Sequence, residues 1–253
     1  MRQQKTPEEY INAWTLNAEQ HFEDGDYEWV CDQIESYHTI LEIGCGAGYS
    51  TLVLTLRDHR VLSVDKNSTA LQKTRDLIIE SSYEAAIAVE SIDFTNSDIW
   101  LWNADVVSDR DAIISVVKQL PIDLILLCNP GGNLDANIRM DEVKLLCQYG
   151  FSRKEIDCRY RQGAFDLLHK FSMIYAAADV AINCTKPLMV VERGSVMKVK
   201  DTLDLIAEDT KMRKVKMDCR RIRHEPEGGI PLGDIDGDET DDLYWGAGMY
   251  FPD

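Results

Sequence analysis

Residues 39–51 constrain this chain more than any other stretch. The run Thr39-Ile40-Leu41-Glu42-Ile43 passes directly into Gly44-Cys45-Gly46-Ala47-Gly48, and Tyr49-Ser50-Thr51 follow without a spacer. A short run that is apolar at successive positions reads as a strand buried on both faces, as in a parallel sheet. Three glycines at alternate positions let the backbone turn sharply and let a ligand approach it with no Cβ in the way. Strand, glycine turn and helix in immediate succession form the opening of a βα unit.

The remainder of the chain repeats the alternation. Further apolar or β-rich runs at 60–64, 98–107, 122–128 and 187–191 are predicted strands, and 214–219 alternates Lys214 and Lys216 outward with Val215, Met217 and Cys219 inward. Helical spacing recurs at 68–80 after the cap Asn67 or Ser68, at 108–120 with Ser108 as cap, and at 140–149, 164–182 and 199–207. Before the glycine turn, Thr6 and Pro7 open one helix and 27–37 suggests a second. Residues 84–96 fit either a helix extension or a strand. This pattern predicts an α/β fold, a doubly wound, mostly parallel seven-stranded sheet with right-handed crossovers. The expected organisation is an N-terminal helical segment over 1–36, a core over 37–224, and an acidic, aromatic C-terminal tail or flap over 225–253 outside the alternation.

At 253 residues, with 45% hydrophobic and 28% charged side chains, the chain can bury a core without disulfides. Its seven cysteines form no C-x-x-C pair, so no metal site is expected from them. Asp234 to Glu239 invites a calcium reading, but the sixth and twelfth places of such a loop would hold Glu239 and Trp245 where glycine and glutamate are needed. No cationic and apolar leader opens the sequence, and Asp179 interrupts the apolar stretch 176–182, so a cytoplasmic protein without a membrane span is expected. The net charge of −17 disfavours a polyanionic partner. That figure hides a basic segment, with nine bases against five acids over 198–223, followed by nine acids and no Lys or Arg from Glu225 onward.

The acid before the glycines distinguishes the turn. A dinucleotide fingerprint wants G-x-G-x-x-G, whereas here Tyr49 stands at that last place and the third glycine is Gly48. The segment Glu42-Ile43-Gly44-Cys45-Gly46-Ala47-Gly48, an E-x-G-x-G-x-G run, resembles motif I of class I S-adenosylmethionine methyltransferases. The resemblance implies that Gly44, Cys45, Gly46 and Gly48 pass the methionine part of that cofactor. Glu42 would organise the turn and reach the amino group of the ligand. Asp65, seventeen residues after Gly48 at the end of the second strand, would accept the ribose hydroxyls, with Lys66 beside it in the candidate binding set. Ala104-Asp105-Val106 resembles the family's acidic motif after the third strand, which implies an adenine contact for Asp105 and Val106; Asn103 and Asp109 compete if the strand boundary slips. Asn129-Pro130 is similar to the start of the [DNS]-P-P-[YFW] signature of amino-group methyltransferases, which implies that Asn129 lines the cofactor and positions the acceptor nitrogen. Gly131 and Gly132 depart from that signature and argue against a planar base as substrate.

The expected function is methyl transfer from S-adenosylmethionine to an N or O nucleophile of a small molecule or peptide. Such a reaction needs in-line positioning and, for a protonated nucleophile, a base, but no fixed triad. Tyr160, His169, Glu192 and His224 are candidate bases, each with an ordinary core or surface role as the alternative. Two other readings stand beside this one. A nucleic-acid amino methyltransferase is favoured by Asn129-Pro130 and the basic strand at 214–223 and opposed by net charge and by Gly131-Gly132. The other is a cofactor-binding regulatory or scaffold subunit without turnover.

Overall fold

The computed structural model describes residues 7–87, 92, 94, 97–128, 138–161, 165–222 and 243–253. Its strands are β1 (Thr39–Ile43), β2 (Arg60–Asp65), β3 (Ala86–Ile87), β4 (Ile99–Asn103), β5 (Leu124–Cys128), β6 (Leu188–Gly194), β7 (Met212–Arg221) and β8 (Tyr244–Pro252). The helices are α1 (Pro7–Glu23), α2 (Asp26–Asp32), α3 (Tyr49–Leu56), α4 (Ser68–Glu80), α5 (Arg110–Gln119), α6 (Met140–Gln148), α7 (Arg153–Arg161), α8 (Phe165–Cys184) and α9 (Val196–Asp209).

The strands form one sheet in the order β3-β4-β2-β1-β5-β6-β8-β7. The first six in that order run parallel, while β8 is antiparallel to both β6 and β7. From β1 the chain winds outward through β2 and β4, then crosses back to β5 and β6 on the other side. The order reverses at β1, and it is at the carboxyl ends of the strands beside such a reversal that open α/β sheets bind their ligands.

Strand residues alternate between two cores because successive side chains point to opposite faces. Ile40, Val61, Leu124, Leu126, Met189 and Val191 pack with Val30, Ile34, Val53 and Leu54 of the α2 and α3 layer. Leu41, Ile43, Leu62, Val64, Ile125, Leu127, Leu188 and Val190 pack with Ile113, Val117, Leu146, Ile174, Ala177 and Leu203 on the opposite face. Along α8, Ala176, Ala177, Ala178 and Ala181 are all buried, and their small side chains let the helix lie close to its neighbours. Asp179, the acid that interrupts this apolar stretch, pairs with Arg110 of α5 at 2.7 Å and accepts from Tyr149. Among the described residues, no helix is long and apolar enough to cross a membrane.

Several expectations need correction. The sheet has eight strands: beyond the six runs placed individually in the sequence it holds the two-residue β3, on the outer side of β4 within the ambiguous segment, and β8. The C-terminal aromatic segment is not a flap outside the alternation: Tyr244–Pro252 is β8, inserted between β6 and β7. Trp245, Ala247 and Met249 bury one face of that strand and Tyr250 the other. Its glycines read as breakers in sequence, but a Cβ on Gly246 would lie 2.0 Å from Val199 Cγ1, so glycine there admits α9 against the strand. The alternation expected for 214–219 is broken by a bulge between Lys214 and Lys216, which leaves Val215 exposed at the sheet edge. Helix α5 begins after Asp109, two residues beyond Ser108, and α2 ends at Asp32. Helix α7 went unpredicted because it is charged nearly throughout and buries only Ile156. The calcium reading at Asp234 to Glu239 lies outside the described residues.

Candidate functional site

The site is built on the turn after β1. Gly44, Gly46 and Gly48 have φ of 79°, 57° and 89°, the left-handed region that glycine enters without steric cost. The Gly44 amide donates to the Val64 carbonyl at 2.7 Å, which extends the β1–β2 ladder into the turn. The glycines then serve different ends. A Cβ on Gly48 would lie 2.7 Å from Thr74 Cα, so Gly48 lets α4 press against the turn. A Cβ on Gly46 would meet nothing within 4 Å, and on Gly44 only Met173 Cε at 3.5 Å, so these two present bare backbone to open space. Cys45 between them is buried, its thiol pushed well above the ordinary value by burial, with Sγ 3.6 Å from Thr74 Oγ1.

Glu42 lies fully buried beneath the turn. Its Oε1 accepts from the Ser50 hydroxyl, and its Oε2 accepts from Thr51 Oγ1 at 2.5 Å and Ser63 Oγ at 2.6 Å. One carboxylate therefore joins β1, the first turn of α3 and β2. Burial raises its pKa, and the three hydroxyl donors oppose that rise. A signal for this was present in the sequence: Ser63 is a polar residue inside an apolar strand, and Ser50-Thr51 open the helix.

Asp65 closes the far side of the turn. Its Oδ2 accepts from the Gly46 amide at 3.0 Å and its Oδ1 from the Asn67 amide at 2.8 Å. Burial raises this acid as well, and the two amide bonds counter it. Asn67 is the N-cap of α4, accepting from the Thr69 and Ala70 amides, so Asp65 is held between the glycine turn and a capped helix. Lys66 is exposed. Asn103, at the end of β4, donates from Nδ2 to the Asp65 carbonyl at 2.9 Å.

Asp105 and Val106 follow β4, and both are buried. Asp105 Oδ1 accepts from the Val107 amide at 2.8 Å, and Oδ2 pairs with Arg139 Nη2 at 2.9 Å. The competing Asp109 instead accepts from the Asp105 amide, also at 2.8 Å. Arg139 precedes α6, its amide donating to Glu142 Oε2 at 2.8 Å, while Glu142 Oε1 lies 2.6 Å from His169 Nδ1. This Asp105–Arg139–Glu142–His169 chain was not legible in sequence. It commits His169, one of the candidate bases, to a buried carboxylate.

At the carboxyl end of β6, Arg193 Nη1 donates to Asn17 Oδ1 at 3.0 Å and to His21 Nε2 at 2.9 Å. Since Nε2 accepts, Nδ1 carries the proton donated to Asp26 Oδ2 at 2.7 Å. The cluster ties α1 and α2 over this end of the sheet, and sequence patterning gave no sign of it. Glu192, also on β6, is buried and paired with Lys170 Nζ at 2.8 Å. Tyr160 lies on α7. The structure thus brings Glu42, the three glycines and Asp65 together at the turn after β1, with Asp105 and Val106 beyond the end of β4. Asn129, His224 and the Pro130-Gly131-Gly132 turn lie outside the described residues. Among the described residues, no group of three or more His, Cys, Asp or Glu could hold a metal ion.

No family model matches the chain. Over 124 residues it is 28% identical to the protein-L-isoaspartate O-methyltransferase of Ectopseudomonas mendocina and 27% identical to that of Pseudomonas aeruginosa, covering 47% of this chain in both cases. The chain spans about half the length of these curated relatives, 56%. Among solved structures, a SAM-dependent methyltransferase from Agrobacterium tumefaciens superposes with a TM-score of 0.50 at 12% identity, over 92% of this chain and 62% of that one. That likeness concerns the fold. In its motif I turn, its sequence relatives and its fold, the chain is similar to the class I, Rossmann-like S-adenosylmethionine methyltransferases.

Proposed function

We propose that this chain binds S-adenosylmethionine in the turn after β1 and transfers its methyl group to an N or O nucleophile of a small molecule or peptide. The observation that carries this reading is the open space over Gly46, bordered by a carboxylate that the Gly46 amide itself orients. A cofactor lying against bare backbone needs that absence of Cβ, and a ribose beside it needs an acceptor with lone pairs to spare. Each Asp65 oxygen accepts one amide bond and keeps a second acceptor direction.

S-adenosylmethionine, when bound, supplies a methyl group on a positively charged sulfur, which makes it electrophilic. The chain's own contribution is placement. Gly44 and Gly46 admit the methionine part, and Glu42 keeps the turn rigid through its three hydroxyl donors. Asp65, with Lys66 exposed beside it, fits the ribose. Asp105 and Val106 are the residues we assign to the adenine, with Arg139 holding Asp105 in place. Asn129, immediately after β5, is the residue we assign to the cofactor's reactive end and to orienting the acceptor.

The relatives named as isoaspartate O-methyltransferases favour a peptide among the possible acceptors. Against a nucleic-acid acceptor stands the engagement of much of the basic segment by protein groups. Arg220 donates to the Gly25 and Asp24 carbonyls, Lys214 and Lys200 pair with Asp204, and Lys216 donates to Gln33. Isothermal titration with S-adenosylmethionine, S-adenosylhomocysteine and NADH tests the reading. Binding of the first two is expected, and binding of NADH alone overturns it. Tight cofactor binding without transfer to any peptide or small acceptor would favour the scaffold reading instead.

A further inference from the structure

Glu192 is 3% exposed near the carboxyl end of β6. Its Oε1 accepts from Lys170 Nζ at 2.8 Å and from the Arg193 amide at 3.0 Å. Its Oε2 is enclosed and has no hydrogen-bond partner among the described residues. A carboxylate oxygen stripped of water and left unpaired is costly, and folded proteins keep few of them.

Its neighbours place this oxygen beside the cofactor turn. Lys170 and Met173 are three residues apart on α8 and so share one helix face. Lys170 reaches Glu192 on β6, while Met173 Cε comes within 3.5 Å of the Cβ position of Gly44 after β1. Because β5 lies between β1 and β6, these two contacts of α8 fall on either side of β5. Burial raises the Cys128 thiol at the last residue of β5, and the charges of Glu42 and, more weakly, Glu192 raise it further. The glycine turn borders one side of that end and the unpaired oxygen the other.

We propose that Glu192 Oε2 accepts a hydrogen bond from the acceptor, which is an amine nitrogen bearing at least one proton and not a carboxylate. The proposal rests on the methyl-transfer reading above and narrows its acceptor. A carboxylate acceptor would set lone pair against lone pair and charge against charge in an enclosed place. The Lys170 ammonium already balances the charge of Glu192 through Oε1, so a second carboxylate would leave two acids sharing one cation. An amine donates from its N–H while its lone pair points away toward the methyl group, and in its protonated form it adds attraction to Glu192. On this point the chain departs from the isoaspartate enzymes it resembles.

The test uses the whole 253-residue chain, 15N-labelled and saturated with S-adenosylhomocysteine, titrated with n-butylammonium and with butyrate as probes of equal length. Butylammonium is expected to shift the Glu192 and Arg193 amide resonances saturably, at least tenfold more weakly in Glu192→Gln, while butyrate leaves them unmoved. Shifts from butyrate, none from butylammonium, or equal affinity in Glu192→Gln would overturn the proposal. Lys170→Met provides a second arm should the first variant fail to fold. Removing the competing ammonium should tighten butylammonium binding severalfold, and unchanged or weaker binding counts against the assignment. Calorimetry of S-adenosylhomocysteine on the same samples, and the amine titration repeated without it, separate failure of this proposal from failure of the methyl-transfer reading.

Discussion

The Gly46 amide donates to Asp65 Oδ2 at 3.0 Å, joining the turn after β1 to the end of β2 through one hydrogen bond. The bond has two consequences, since it holds the glycine in its left-handed conformation and aims the carboxylate over the open backbone. Asp65→Ala should weaken S-adenosylhomocysteine binding by about 2–4 kcal/mol, because hydrogen bonds to a charged group are worth about 1.5–3 kcal/mol each and water replaces them in part. Calorimetry reads the affinity, and unchanged affinity in a folded variant moves the ribose contact elsewhere.

Gly46 and Gly48 should respond to the same substitution in opposite assays. Gly46→Ala places its methyl in open space, so stability should fall only by the left-handed strain of about 1–2 kcal/mol, while cofactor affinity drops roughly 5- to 100-fold as the cradle fills. Gly48→Ala drives its methyl into Thr74 Cα at 2.7 Å and should cost about 3 kcal/mol or more of stability. Denaturant melts and calorimetry on both variants check the contrast, and two variants with equal melts would refute it.

Glu42 should make stability fall with rising pH. Burial sets its folded-state pKa above the ordinary value of 4.5, so the folded chain holds this proton more tightly than the unfolded chain. Stability from that difference is full below 4.5 and is lost as pH rises through the raised value. The stability of the wild type relative to Glu42→Gln should therefore decline from pH 4.5 toward neutrality. Urea denaturation across that range measures it, and a difference that grows with pH would contradict the assignment.

Gly246→Ala should destabilise the chain by about 1–3 kcal/mol, since its Cβ meets Val199 Cγ1 at 2.0 Å. Val199→Ala opens that space. The double variant should be more stable than the sum of the two losses implies, by about 0.5–3 kcal/mol of coupling. Additive losses in thermal melts would mean that α9 shifts away freely.

Duplex DNA should bind weakly, in the range of about 10⁻⁴–10⁻⁶ M at physiological salt, because Lys200, Lys214 and Arg220 are engaged with Asp204, Asp26 and backbone carbonyls. Fluorescence anisotropy with a labelled duplex measures this. Nanomolar binding would return the nucleic-acid reading to first place.

What the sequence determined by itself was local. An apolar run followed by three alternating glycines dictates a buried strand and a left-handed turn, and a polar cap before helical spacing dictates the helix at Asn67, because these choices are settled within a few residues. The parallel alternation followed from repeating them. Tertiary structure decided whatever depended on a distant partner. Trp245, Gly246 and Gly248 read as part of a tail because glycines weaken a strand taken alone; only the slot between β6 and β7, with Val199 of α9 against Gly246 and the Tyr250 ring against Gly248, makes them fit. The enclosure of Glu42 needed Ser63 from the next strand, and the pairing of Asp105 needed Arg139 from beyond β5. Glu192 was legible only as one of several possible bases. Its unpaired oxygen emerged when β6 and α8 came together, because the burial and pairing of a charge are set by neighbours remote in sequence.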